Sequence, residues 1–330
     1  MNNSLIKHLA NNQFLVALLV VACIWFVIEI KEVLVILFIS FIIMSTLSIF
    51  VDFLKNKGFP KILAVLITYF ITVLVVIMLI VPLVPFFTVQ IQVLLMGFPT
   101  YLSQVTKILN IDAASMRNFL PKDPNFLGNN ALIFTGKFFT GIFSLLAIFV
   151  LSFYLTLGKE KINKAIATLF PTRLENKVLS IIYQIEQKLG AWSRGQILLS
   201  FSIGLCTWIA LSLLGIPSAL PLAFIAGILE IVPTVGPIIS AIPAIIIALT
   251  ISPGIAIAVA ILYVVIQMLE NNFLVPKIME RAVGLNPILV IAGVMAGGKL
   301  MGILGAFLSV PFIAVLVILL RNLTVPKSNH

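Results

Sequence analysis

The chain has 330 residues, of which 61% are hydrophobic and only 10% are charged. Soluble domains carry about 25% charged residues, so this composition excludes a soluble protein and predicts an all-α polytopic membrane protein. The net charge of +10 does not indicate a nucleic-acid partner, because excess Lys and Arg in a membrane protein mark its cytoplasmic loops. The two cysteines both lie in apolar runs, which predicts no disulfide.

The hydropathy pattern predicts six full transmembrane helices and two shorter broken segments, which makes eight hydrophobic segments in all. It divides the chain into a membrane scaffold over 1–157 with an extracytoplasmic helical excursion at 88–130, a cytoplasmic amphipathic segment over 158–195, and a membrane core over 196–330. The six predicted spans are 13–28, 33–51, 62–86, 131–157, 196–214 and 255–276.

The first broken segment, 221–250, is the most informative stretch of the chain. Its apolar arms of about 12 and 14 residues are separated by Pro233, Thr234, Val235, Gly236 and Pro237. A spanning helix needs about 20 apolar residues, and prolines around a glycine make a reversal, so the pattern predicts a re-entrant helical hairpin. Non-helical backbone inside a membrane persists only where it is buried in protein or lines a cavity. The break is therefore a predicted functional site.

The second broken segment, 287–320, repeats features of the first. Five small or special residues recur at an offset of 66, and a proline recurs at an offset of 68. Its break falls at Gly297, Gly298 and Lys299, with Gly302 close behind. Because the preceding spans run in opposite directions, the two span-plus-hairpin units form a predicted inverted repeat, a pattern that points to the binding site of a transporter.

The distribution of positive charge predicts the orientation. With both termini in the cytoplasm and both hairpins returning to their own side, 15 of the 21 Lys and Arg residues lie inside. This arrangement satisfies the positive-inside rule. Eight full spans would leave the termini on the same side, so the charges do not distinguish the two topologies.

A few polar residues within apolar segments are candidates to line a substrate or ion path. An ionisable group inside a membrane costs at least about 2.5–3.5 kcal/mol, so it usually faces a cavity or a partner. Glu230 lies three residues before the first break and is expected near the membrane midplane. Gln267, Glu270 and Asn271 share one face of the sixth span, and Lys299 lies at the second break. A structural ion pair remains the alternative role for each carboxylate.

Motifs of soluble enzymes are absent from the sequence. The two histidines, His8 and His330, are terminal, and the chain has neither zinc-ligand cysteine spacing nor a GxxxxGK[ST] or GxGxxG loop. We expect no catalytic residues, no metal and no cofactor. The missing loop motifs argue against an ATP-driven pump within this chain.

These motifs resemble the autoinducer-2 exporter family of bacterial membrane proteins. The resemblance is carried by five stretches and a few glycines and prolines, namely Arg194-Gly195-Gln196, Pro221 to Gly227, Glu230 to Pro237, Glu270-Asn271-Asn272 with Pro276, Gly284 to Pro287, Gly302, Gly305 and Pro311. It implies a transporter of the bacterial inner membrane that forms a homo-oligomer, with pentamers a feature of the family. It also implies hairpins that move with the substrate, as in elevator carriers.

Three functions follow as expectations. The first is a secondary transporter, with 196–330 as its transport core, that exports a small polar solute such as autoinducer-2. In it Pro233, Thr234, Gly236 and Pro237 form one gate, and Gly297, Gly298 and Gly302 form the other. The second is a sodium or lithium/proton antiporter that uses the two carboxylates. The third is a passive pore or a membrane scaffold.

Overall fold

A computed structural model describes residues 18, 21–22, 25–26, 28–78, 126–232, 235–279 and 286–324. Every regular element in these ranges is helical, which confirms the all-α prediction. Residues 88–125 of the predicted excursion at 88–130 and most of the first predicted span lie outside the described residues, as do Pro233 and Thr234. Residues 126–130 form the start of the helix that contains the fourth predicted span. The helices are α1 (Lys31–Asn56), α2 (Lys61–Met78), α3 (Phe126–Thr168), α4 (Thr172–Leu213), α5 (Ala219–Leu229), α6 (Val235–Ile251), α7 (Pro253–Leu269), α8 (Val275–Met279) and α9 (Pro287–Thr324).

Six stretches of helix are long and apolar enough to cross a membrane. Five of them correspond to predicted spans and lie in α1, α2, α3, α4 and the unit that starts with α7. The sixth is α9, which is broken internally and corresponds to the second predicted hairpin. The protein is therefore a multi-pass membrane protein with the predicted helical segments.

Helix α4 is the central element of the packing, because α1, α3, α5, α7, α8 and α9 all contact it. It runs without interruption from Thr172 to Leu213, so residues 172–195 of the predicted cytoplasmic segment and the fifth predicted span form one helix, whereas residues 158–168 continue α3. Its first half packs on α1 at very short range. A Cβ atom on Gly190 would lie 2.3 Å from the carbonyl oxygen of Ser45, and the Arg194 guanidinium donates to the carbonyls of Ser45 and Thr46.

Helices α5 and α6 form hairpin 1 (Ala219–Ile251). Helix α5 turns back along α4, since a Cβ atom on Gly227 would lie 2.9 Å from the Ser200 carbonyl oxygen and one on Gly204 would lie 3.4 Å from that of Ala223. The arms meet at the tip, where a Cβ atom on Gly236 would lie 2.0 Å from the Leu229 carbonyl oxygen. Only a residue without a side chain fits there. The first predicted hairpin is confirmed.

Helix α9 forms hairpin 2 (Pro287–Thr324), which folds at Met301 and Gly302. Both residues have non-helical backbone angles, and Gly302 has a φ of +63°, a conformation that favours glycine. The arms then run antiparallel in close contact, because a Cβ atom on Gly297 would lie 2.2 Å from the Gly305 carbonyl oxygen. The second predicted hairpin is therefore also confirmed, but the predicted break at Gly297, Gly298 and Lys299 is wrong. These residues are helical, and the chain reverses at Met301 and Gly302, where glycine allows the positive φ.

The two hairpins approach the middle of α4 from opposite ends. Hairpin 1 starts from the C-terminal end of α4, and at its tip the Gln196 side chain donates to the Glu230 carbonyl at 2.8 Å. Hairpin 2 comes from the other end, because Asn322 reaches Gln184 and the Phe307 ring packs on Trp192 with 5.4 Å between centroids. Hairpin 2 folds at Gly302, five residues before Phe307 in sequence, so its tip extends about 8 Å past Phe307. The two tips therefore overlap beside Trp192 and Gln196, in the opposed arrangement expected of an inverted repeat.

Candidate functional site

The tip of hairpin 1 buries a carboxylate. Glu230 follows the last residue of α5 and is fully buried, and the Gln196 amide bonds to its backbone carbonyl. Gln196 is the first residue of the apolar stretch of α4, so Glu230 lies level with one end of that stretch. The expected position of Glu230 near the membrane midplane stays a prediction.

A second carboxylate lies against the first. Glu270 is 3% exposed and opens a short π-helical turn, Glu270–Leu274, that interrupts the helix after α7. Such turns inside α-helices often occur at functional sites. The Gln267 amide donates to the Glu270 carboxylate at 3.0 Å, and the two carboxyl groups are close enough to interact directly. The structure thus brings three of the predicted path residues together.

The other predicted path residues lie elsewhere. Asn271 directly follows Glu270, but its side chain is exposed. Lys299 is exposed two residues before the fold of hairpin 2.

Of the predicted gate residues that are described, Gly236 and Gly297 make close backbone contacts and Gly302 makes the turn. Pro237 lies in the first turn of α6, and Gly298 has more room, with its nearest neighbour at 3.8 Å from a built Cβ atom.

A cavity of about 470 Å³ lies where the two hairpins meet α4. This volume is in the usual range for a small-molecule site. Among the described residues, its walls come from α4, from hairpin 1 and from one residue of hairpin 2. They include aromatic rings, one amide and two hydroxyl groups but no charged side chain. Prominent members of this lining are Trp192, Gln196, Ser200, Phe224, Gly227 and Phe307.

The polar groups of the cavity are few, and one of them is unsatisfied. The Ser200 hydroxyl is buried and has no hydrogen-bond partner among the described residues. Gln196 connects the cavity to the carboxylates, because it lines the cavity and bonds to the Glu230 carbonyl. Trp192, Ser200 and Phe307 could not be assigned to a site from sequence, since apolar and small residues in a membrane helix carry no signal of a cavity. Gln196 in an apolar run was the available signal.

Comparisons with known proteins agree with this architecture. A sequence model described as "AI-2E family transporter" matches residues 14–324, nearly the whole chain. The chain is 32% identical over 180 residues to YrrI of Bacillus subtilis, covering 54% of this chain and 51% of YrrI, so it spans about half the length of that relative. It is 25% identical over 290 residues to YueF of the same organism, covering 82% of this chain and 79% of YueF. It is also 36% identical over 120 residues to YhhT of Escherichia coli K12, covering 36% of this chain and 34% of YhhT. All three are named as transport proteins. The match over residues 14–324 means that this chain belongs to the AI-2E transporter family.

Proposed function

We propose that this membrane transporter exports a small polar solute such as autoinducer-2 as a secondary carrier. The observation that carries the proposal is the cavity of about 470 Å³ between α4 and the two opposed hairpins. Substrate sites of secondary transporters lie where inverted repeats meet, and they are formed by broken helices. Because the sequence has no nucleotide-binding loop, the energy for export comes from an ion gradient or from the gradient of the solute itself.

The lining of the cavity supports an uncharged solute. Moving an isolated ion into an apolar site costs many kcal/mol, and the described residues that line the cavity include no charged side chain to offset that cost. The amide of Gln196 and the hydroxyls of Ser193 and Ser200 can instead bind a hydroxyl or carbonyl group. The aromatic rings of Trp192 and Phe307 can cover the apolar face of such a solute. A small solute with a few polar groups fits this set.

The packing supports an elevator-like movement of the hairpins. The contact between α4 and α5 includes Gly204, Gly227 and the backbone of Ser200, where the two helices approach each other with no side chain between them. The first half of α4 is instead fixed to α1 by Arg194 and Gly190. In the proposal this half and the N-terminal helices form the stationary scaffold, and the hairpins move past them.

The cellular setting is also a proposal. The excess of Lys and Arg in the predicted inner loops supports a bacterial inner-membrane location with both termini in the cytoplasm. A homo-oligomer, with the pentamer as the specific form, rests on the family resemblance given above. Cross-linking of the purified protein in lipid would show how many chains associate.

A second candidate function is sodium or lithium/proton antiport. The contact between Glu230 and Glu270 is the observation that favours it, because buried carboxylates can exchange a proton for a small cation. This candidate differs from the first in its expected substrate and in its site, which is the carboxylate pair and not the cavity.

Flux measurements in proteoliposomes test the proposal and separate the candidates. We expect wild-type protein to transport labelled autoinducer-2. In Gln196→Leu, which removes the cavity amide without adding charge, we expect this flux to fall at least about tenfold. The control is Ser202→Ala, because this serine bonds to its own helix and does not line the cavity. Sodium- or lithium-driven proton movement that disappears in Glu230→Gln would establish the antiporter instead. A protein that moves none of the three solutes would contradict both candidates.

A further inference from the structure

The two carboxyl groups at the tip of hairpin 1 lack the partners that two ionised carboxylates need. Both oxygens of Glu230 are buried and have no hydrogen-bond donor among the described residues. Glu270 receives one donor, the Gln267 amide. An ionised carboxylate that is buried without a donor or a counter-ion costs several kcal/mol. This cost applies most strongly to Glu230.

Within the described part of the chain, no cationic side chain faces this pair. On α4 the nearest cation is Arg194, whose guanidinium is directed to the carbonyls of Ser45 and Thr46. Helix α4 faces the pair with the uncharged amide of Gln196, and α7 contributes Gln267. The Tyr263 hydroxyl on α7 is directed to the Ser240 carbonyl on α6. The interactions that act on the two carboxyl groups are therefore mutual, apart from the Gln267 amide.

We infer that Glu230 and Glu270 together hold a single proton. Two carboxyl groups in contact cannot both ionise at low cost, and a proton on one supplies the missing donor to the other. The pair then has a charge of −1 and contains one O–H···O hydrogen bond. The titration belongs to the pair and not to either residue alone. With the proton in place, the unsatisfied oxygens of Glu230 gain the partner that the surrounding helices do not provide.

The location of the two carboxyl groups gives this proton a role in transport. That role rests on the proposed transport function. Glu230 moves with hairpin 1, whereas Glu270 belongs to the π-helical turn after α7. A displacement of hairpin 1 relative to that turn separates the carboxyl groups, breaks the shared hydrogen bond and allows the proton to leave to water. One proton would thus be bound in one position of the hairpin and released in the other, which links transport to the proton gradient.

Infrared spectroscopy of the protein in lipid nanodiscs tests the shared proton without any transport measurement. At pH 7 we expect a carboxylic acid C=O band whose intensity corresponds to one protonated carboxyl group per chain and whose frequency shifts in D₂O. This band should disappear in the double variant Glu230→Gln/Glu270→Gln. It should be unchanged in Glu160→Gln, whose side chain is 73% exposed. Wild-type protein titrated upward in pH should lose one proton per chain from this band. The titration needs no variant, so it does not depend on how the variants fold.

Three results would overturn the inference. They are the absence of a carboxylic acid band in the wild type, a band that persists in the double variant, or a band equal to two groups at pH 7. The expected band of one carboxylic acid group per chain, found together with no autoinducer-2 flux, would contradict the proposed export. The inference of a shared proton would still hold.

Discussion

Replacing Gly297 with alanine is expected to destabilise the protein by about 1–3 kcal/mol, the usual cost of adding a methyl group where no space exists. The new Cβ atom would lie 2.2 Å from the carbonyl oxygen of Gly305 on the opposite arm of hairpin 2. Backbone cannot rotate away as a flexible side chain can, so the two arms must separate. Because Trp192 packs on Phe307 of this hairpin, the separation also disturbs the cavity, and transport should fall with stability.

The neighbouring glycine provides a matched control. A Cβ atom on Gly298 would have only the Ala306 methyl group nearby, at 3.8 Å, which is an ordinary contact. Gly298→Ala should therefore change the free energy of unfolding by less than about 0.5 kcal/mol, as expected at a position without steric conflict. Unfolding in mixed micelles, followed by circular dichroism, measures both variants. Equal effects of the two substitutions would contradict the close packing of the hairpin arms.

Replacing Lys159 with methionine is expected to destabilise the protein by about 3 kcal/mol, because it leaves a buried charge without its partner. Glu186 on α4 has a side chain that is only 2% exposed, and it forms an ion pair with Lys159 on α3. The pair connects the two helices beside a second apolar cavity of about 450 Å³ that Lys159 lines. The free energy of unfolding under the same conditions provides the measurement.

Two further variants show whether the burial of Glu186 is the cause. The double variant Lys159→Met/Glu186→Leu should recover most of the lost stability, since an apolar pair of similar volume often replaces a buried ion pair at little cost. The exposed pair Lys61–Glu160 is the control, with side chains 31% and 73% exposed. Lys61→Met should cost less than about 1 kcal/mol, the usual range for exposed pairs. A similar loss in Lys159→Met and Lys61→Met would contradict the proposed role of burial.

Much of the fold could be predicted because composition and helix-breaking residues act locally. Apolar runs of spanning length predicted five of the described segments, and the break from Pro233 to Pro237 predicted hairpin 1. The offset of 68 between Pro243 and Pro311 matches their place on the second arm of each hairpin. Such residues limit the backbone itself, so their effect does not depend on what packs around them.

The site could be predicted only in part, because its remaining features depend on packing between distant segments. Glu230 and Glu270 were candidates as charges in apolar runs, but their contact arises from the antiparallel course of α6 and α7. Glu186 lies in an amphipathic helix whose charged residues look solvent-exposed in sequence, yet its side chain is buried against α3. Trp192 and Phe307 are 115 positions apart, and in sequence each resembles any lipid-facing aromatic residue, because their contact forms only when hairpin 2 packs on α4.

The most direct test of the opposed hairpins is site-directed cross-linking in native membranes. Trp192→Cys and Phe307→Cys would be combined in a chain whose native cysteines, Cys23 and Cys206, are replaced by alanine. The ring centroids of Trp192 and Phe307 are 5.4 Å apart, so a short thiol-specific cross-linker should join α4 to hairpin 2 within one chain. Peptide mapping after proteolysis identifies the joined segments.

A second pair of positions makes the result specific. Trp192→Cys combined with Phe312→Cys should not cross-link, because Phe312 packs on Phe38 of α1 with 6.4 Å between ring centroids. The account predicts efficient cross-linking of 192 with 307, little of 192 with 312, and loss of transport once the first pair is joined. Equal cross-linking of both pairs, or none of 192 with 307, would contradict the meeting of the hairpins beside α4.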